Sequence, residues 1–268
     1  MNTHGPVRPG EPTYREVVAT GAWLARHGAL TRVPTRLIAV RVGARSRELA
    51  PILILTAVLY FCLTVVKLAS GDHVLFHVYR ELLIAAVFAV WLLVRGQGVW
   101  NRDALAGHPN PPGDRPRAAA GLLGGWYFAS LAWTFAGGAA LYAALAVTRP
   151  EDRTGALLSL AILAVGLVPA ARVLFRAFFA RVIAEDEPSA AVDGVVRAQD
   201  AHVFALPALF AVLAAGNAWT SWVVVQGGHA VIAVGTQLTA WLLFGRRPLP
   251  PGAYGLPFEV GGGAGGGA

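Results

Sequence analysis

The chain is predicted to be an all-α, polytopic membrane protein: six transmembrane helices in three hairpins, with amphipathic interfacial helices ahead of them. That expectation rests on a shortage of charge, on six long apolar runs, and on a lopsided distribution of arginine. Only 14% of the 268 residues are charged and 56% are hydrophobic, against about 25% charged in an ordinary soluble domain. Mean hydropathy is +0.55. The apolar runs lie near 50–70, 76–95, 120–147, 155–176, 202–225 and 229–245. Each reaches the roughly 17–25 helical residues that cross a hydrocarbon core of ~30 Å. Strands are excluded as spans, because an open sheet in lipid leaves backbone groups unpaired.

Arginine sets the sidedness. The chain has 22 Lys and Arg, and all but Lys67 are arginine. Eighteen of them fall in the N-terminal segment, in the second and fourth connections, and just after the last span. The other side holds Arg80, Arg149 and Arg153. By the positive-inside rule both ends are cytoplasmic, which an odd number of spans would forbid. Three regions follow: a cytoplasmic and interfacial segment (1–49), a six-helix transmembrane domain (50–245), and a flexible Gly-rich cytoplasmic tail (246–268). The expected location is the bacterial inner membrane.

Residues 13–30 and 33–48 read as two short amphipathic helices divided near Pro34. In the second, Leu37, Ile38 and Val40 oppose Arg36, Arg41, Arg45 and Arg47, the pattern of a helix lying in a cytoplasmic interface. The connection 96–118 is rich in Gly, Pro and Asn and reads as an irregular loop. Residues 177–187 extend the fourth span, which Glu185-Asp186-Glu187 and Pro188 then end. The first 49 residues contain no apolar core followed by a cleavage site, so no cleavable signal peptide is expected. The net charge of +7 is spread along span ends rather than over one folded face. It fits anionic lipid headgroups and excludes nucleic acid as a partner.

Polar residues inside the runs are the candidate sites. Glu81 is the only carboxylate embedded in an apolar run. With a turn near Asp72–Val74, Lys67 and Glu81 come to the same depth beside Arg80, predicting an ion pair that pins two helices. A second hairpin, turning at Gly227-Gly228, puts Asn217 and Gln237 each about ten residues, or ~15 Å, from the turn. An interhelical hydrogen bond between the two amides is the expected outcome. Small residues at four-residue spacing (Ala132, Ala136, Ala140 and Ala144; Gly121, Gly125 and Ala129) predict close helix packing. His73 and His77, with Asp72 and His229, are the candidate metal ligands of the outer face. No HExxH, GxSxG or phosphate-binding glycine loop is present, no cofactor is expected, and lone Cys62 offers no disulfide or thiol cluster. A metal-dependent enzyme reading would need Asp72, His73, His77 and Glu81 to converge within about 5 Å.

Six spans with both ends cytoplasmic, a basic helix before the first and a Pro-rich loop after the second resemble an ABC exporter permease. That resemblance implies a transport-associated subunit, with 35–48 as its elbow helix and 96–118 docking on a cytoplasmic ATPase. It departs from the family in joining the last two spans by 226–229 alone. The stretch from Val192 to His202 (VDGVVRAQDAH) is similar to a charged, helical lead-in of uncharacterised actinobacterial multi-pass membrane proteins. The alternative expectation is a non-transporting accessory protein. Partners expected on these readings are the lipid bilayer, an ATPase subunit and a second copy of the chain.

Overall fold

The structure, a computed structural model, describes residues 10–31, 33–45, 74–107, 109–110, 115–216 and 222–256, with 74–78, 109–110 and 115–117 by backbone alone. The expected first span (50–70), Lys67, Asp72, His73, the His77 side chain and Asn217 lie outside the described residues.

Helix α1 (Tyr14–Arg26) starts in a capping box. The Thr13 hydroxyl accepts from the Glu16 amide at 3.3 Å, and the Glu16 carboxylate accepts from the Thr13 amide at 2.7 Å, satisfying two amides that a helix start leaves open. After strand β1 (Val33–Pro34) comes α2 (Arg36–Arg45). Helix α3 (Val74–Ala106) has 33 residues, about 50 Å at ~1.5 Å each, so it overshoots a hydrocarbon core of ~30 Å. Strand β2 (Pro109–Asn110) and α4 (Arg115–Leu123) follow. Helix α5 (Gly125–Leu131) runs through a π-helical stretch (Ala132–Gly137) into α6 (Gly138–Thr148). A short 3-10 turn (Pro150–Asp152) leads to α7 (Arg153–Phe179), which carries Pro169 in its interior. Then come β3 (Val182–Ile183), α8 (Glu187–Phe204), α9 (Pro207–Ala215), α10 (Val223–Gly245) and β4 (Gly255–Leu256).

The protein is thus mostly helical. Among the described residues five stretches are long and apolar enough to cross a membrane: Tyr79–Ala106, Gly125–Thr148, Pro150–Phe179, Glu187–Ala215 and Val223–Gly245. Their outer faces are apolar. On α10, Val224, Val231, Leu238, Trp241 and Leu243 are all exposed, an apolar face of the kind that meets lipid or another protein. Phe88, Tyr127, Tyr142, Ile162, Phe204, Phe210 and Leu213 fill the centre.

One end of the bundle carries a cap. Strand β1 pairs antiparallel with β4, and β2 with β3. The Leu249 amide donates to the His27 carbonyl at 3.0 Å, and Arg247 donates to the carbonyls of Gly121 and Leu122 at 2.7 and 2.6 Å. The N-terminal helices, both Pro-containing connections and the segment after α10 therefore gather at a single end.

Several expectations need correction. Helix α2 does not lie flat at an interface: every residue from Leu37 to Arg45 is buried, enclosed by α1, α3 and α8. Arg41 and Arg45 meet protein carboxylates. The connection after α3 is shorter than 96–118, because the helix persists to Ala106 and α4 begins at Arg115. The acidic patch begins a helix instead of ending one. Asp186 caps α8 by accepting from the Ser189 amide at 2.8 Å, with Pro188 in the first turn, the residue types that favour a helix start. Gly227 and Gly228 lie within α10 rather than in a turn; two glycines cost only about 1 kcal/mol each there. Ala132, Ala136, Ala140 and Ala144, with Gly121, Gly125 and Ala129, are all exposed, because Tyr127, Ser130, Thr134, Gly138 and Tyr142 take the inward face.

Close approach depends on glycines elsewhere. A Cβ on Gly166 of α7 would lie 2.2 Å from the Phe210 ring on α9, and one on Gly43 would lie 2.4 Å from Glu16 Cβ where α2 crosses α1. Gly166→Ala and Gly43→Ala should each cost about 1–3 kcal/mol through overpacking, measured by thermal unfolding in detergent. Gly235→Ala, which meets nothing within 4 Å, should leave the transition unchanged or raise it.

Candidate functional site

Beneath the cap, α2, α3 and α8 bring six charges of alternating sign into one row. Arg41 and Arg45 are one turn apart on α2. Asp193, Arg197 and Asp200 follow at spacings of four and three on α8, and Asp103 sits near the end of α3. The row runs Asp200, Arg45, Asp103, Arg41, Asp193, Arg197, and its formal charges sum to zero.

Arg45 is the centre, 4% exposed, and each of its five N–H groups has an acceptor. Nε donates to Asp200 at 2.6 Å and Nη2 to the same carboxylate at 2.8 Å. Nη1 and Nη2 reach Asp103 at 3.0 and 2.7 Å, and Nη1 also donates to the Arg41 carbonyl at 2.6 Å. The guanidinium is thus clamped in two bidentate pairs, the strongest geometry open to it. Burial alone would lower its pKa; the charges of Asp103 and Asp200 outweigh that and hold it above the ordinary arginine value. Asp200 takes a further bond from Trp100 Nε1 at 3.1 Å, and Arg176 stacks over the Trp100 ring at 4.2 Å.

The row continues through Arg41, whose Nη1 donates to the Ile183 carbonyl at 2.8 Å and whose Nη2 meets Asp193 at 2.6 Å. Asp193 pairs in turn with Arg197 Nε at 2.8 Å. Arg197 reaches the Ala180 and Arg181 carbonyls, covering acceptors left open where α7 ends. The crevice bounded by Arg41, Trp100, Asp103, Arg176 and Asp200 offers about 20 Å³, room for roughly one water. The row is therefore a fastening between three helices, not a chamber for a substrate.

The residues singled out within the spans are arranged differently. Glu81 is buried and accepts from Arg80 Nε at 2.9 Å; its other carboxylate oxygen has no partner among the described residues. It lies against Gly216, where a Cβ would come within 3.3 Å of its carboxyl carbon. Asn217, the expected partner of Gln237, lies outside the described residues. Gln237 Oε1 accepts from the Ala208 amide at 2.7 Å. That amide is exposed by the break at Ala205–Leu206, where Leu206 adopts φ 39° ahead of Pro207. A side-chain acceptor from the neighbouring helix is how lipid-embedded helix breaks are satisfied.

His229 is engaged with Trp133: Nε2 lies 3.1 Å from the Trp133 carbonyl, and Trp133 Nε1 donates to the His229 carbonyl at 3.1 Å. The Trp133 carbonyl belongs to the π-helical stretch, where its helical partner has slipped to the Gly138 amide. With Nε2 donating, Nδ1 is left as an acceptor, and it has no donor among the described residues. Among the described residues no group of three His, Cys, Asp or Glu side chains converges as metal ligands would. Ser130, Thr134, Gln226 and both nitrogens of His202 also have buried polar atoms without a partner among the described residues. Comparison with protein families, curated proteins and solved structures finds no match to the chain.

Removing Arg45 leaves two buried carboxylates facing each other. Arg45→Ala should cost about 3–5 kcal/mol, the loss typical of a broken buried pair, and Arg45→Lys should not restore it, since three ammonium donors cannot serve five acceptor directions. Exposed Arg153→Ala should stay within ~0.5 kcal/mol. Denaturation in detergent checks all three.

A pH dependence follows from Glu16. Burial acts to raise its pKa, but the Thr13 amide and Arg102, 2.6 Å away, outweigh that and hold it below the ordinary value of 4.5. Its stabilising contribution is complete above that ordinary value and is lost as pH falls through the depressed one. Arg102→Gln should move the acid loss of thermal stability to higher pH, read from unfolding midpoints across the acidic range.

Proposed function

We propose that the chain is a non-enzymatic protein of the bacterial inner membrane with six crossings and a cytoplasmic cap. It acts as an accessory subunit that offers the cap to a partner. The crossing number draws on two flanking positions. Arg45 lies beside Asp103, and Val74 begins the same helix α3 some 29 residues away, about 44 Å along its axis. Arg45 and Val74 thus stand at opposite ends of α3, and the apolar run 50–70 lies between them in sequence. With the five long apolar helices this supports three out-and-back passages. The arginine excess at the cap supports its cytoplasmic side.

The fully satisfied Arg45 clamp carries the accessory reading. It locks the N-terminal helix, α3 and α8 into one body at the end where an exporter permease would transmit motion from an ATPase. A transport-associated, permease-like role is the second reading, favoured by polar atoms on inward faces at Thr134, Gln226 and His229 that have no partner among the described residues. Polar atoms in such positions line substrate and proton pathways in carriers.

Two experiments test these readings. In a Cys62→Ser background, single cysteines replacing Asp186 or Arg246 should react with a membrane-impermeant thiol reagent only after lysis. A cysteine replacing Asp152 should react in intact cells; the reverse pattern overturns the orientation. Isolation from native membranes in mild detergent should retain a stoichiometric partner without nucleotide hydrolysis. Recovery of an ATP-hydrolysing subunit replaces the accessory reading with transport, and repeated isolation of the chain alone defeats both.

A further inference from the structure

Between α4, α8 and the segment after α10 lies an open cleft of about 440 Å³. It is separate from the charge row, although Asp193 and Arg197 reach its edge. The volume falls in the ~300–1,000 Å³ range of pockets that take small organic ligands. Its walls are apolar and the side chains lining α8 are small: Ala191, Gly194 and Ala198, facing Leu122 and Phe244. Helix α8 places these three on one face by their spacing of three and four residues. Small side chains on one wall with a leucine and an aromatic ring opposite make a slot for a slender, flexible hydrocarbon.

The polar edge is cationic. Arg197 is matched by Asp193 at 2.8 Å and contributes no net charge. Arg247 is different: the carbonyls of Gly121 and Leu122 hold its Nη1 at 2.7 and 2.6 Å, which orients the guanidinium without neutralising it. Exposed Arg246 stands next to it. The cleft therefore joins an apolar slot to an oriented positive charge at the point where α10 ends and the chain leaves the apolar layer. Basic pockets among transmembrane helices at the cytoplasmic surface are where anionic lipid headgroups bind.

We infer that this cleft is a binding site for an anionic phospholipid of the surrounding leaflet, one acyl chain lying against Ala191, Gly194 and Phe244 and the phosphate at Arg247. The guanidinium meets the phosphate as a charge-assisted donor. The slot supplies apolar burial that a headgroup contact alone lacks. This inference needs the chain to sit in a bilayer, but it is independent of which partner the cap meets.

The test uses the full chain extracted from membranes in mild detergent, washed, and analysed by native mass spectrometry. It is then reconstituted in nanodiscs of phosphatidylglycerol or of phosphatidylcholine. Wild-type protein should retain close to one phosphatidylglycerol per chain and no phosphatidylcholine. Arg247→Gln should weaken retention roughly five-fold, the effect of losing one cation at a lipid surface. Ala191→Phe, which fills the slot, should abolish retention while the thermal transition stays as in wild type. Ala198→Leu, a smaller filling, provides the same readout if Ala191→Phe does not fold. Equal retention of the neutral lipid, retention unchanged by filling the slot, or capture of a single-chain fatty acid in place of phospholipid would each overturn the inference. Failure to retain any lipid would overturn it too, while leaving the membrane orientation, measured by thiol labelling, standing.

Discussion

An arginine buried to the extent of Arg45 forces the structure around it to supply acceptors for five N–H groups. Water cannot serve there, and an unpaired guanidinium in such a place costs several kcal/mol. The demand is met by Asp103, Asp200 and the Arg41 carbonyl, and meeting it explains three features at once. Helix α3 runs past the thickness of the apolar layer because Asp103 has to stand beyond it. Helix α8 is polar on one side and precedes the apolar α9 because Asp193 and Asp200 have to face α2. The N-terminal helices are folded into the body because Arg41 and Arg45 pair with those carboxylates.

Farther from the cap the side chains change character. Outward faces such as that of α10 are apolar, while inward faces hold Ser130, Thr134, Gln226 and His229. Backbone irregularities are tolerated where a neighbour covers them. The break before Pro207 is covered by Gln237, and the slipped carbonyl at Trp133 by His229. Each irregularity coincides with a polar side chain that would otherwise be hard to place in an apolar helix.

Much of the architecture was legible in the sequence. The apolar runs and the arginine pattern implied long helices with several connections at one end, and the strand pairs and Arg247 contacts bring those segments together. Helix boundaries were less legible where local composition misled. Gly227-Gly228 looks like a turn yet continues a helix, since lipid holds backbone hydrogen bonds in place; the acidic run at 185–187 looks like a stop yet caps a start. The charge row was the main omission. Its local signals existed, arginines four apart at 41 and 45 and acids and arginine at 193, 197 and 200. Its partners, however, are separated by 58 and 155 residues, and no local spacing says which distant charge answers which.

That separation bears on biosynthesis. A ribosome adding about 5–20 residues per second needs roughly 8–30 s to pass from Arg45 to Asp200. In the first part of that interval, until Asp103 follows 58 residues after Arg45, the nascent arginines lack the carboxylates they finally meet, and headgroup phosphates are the nearest anions. The early chain can thus rest on the bilayer surface, as its amphipathic pattern suggests, and leave it only when the later acids are made. Two addresses, one provisional and one final, are written into the same guanidinium groups.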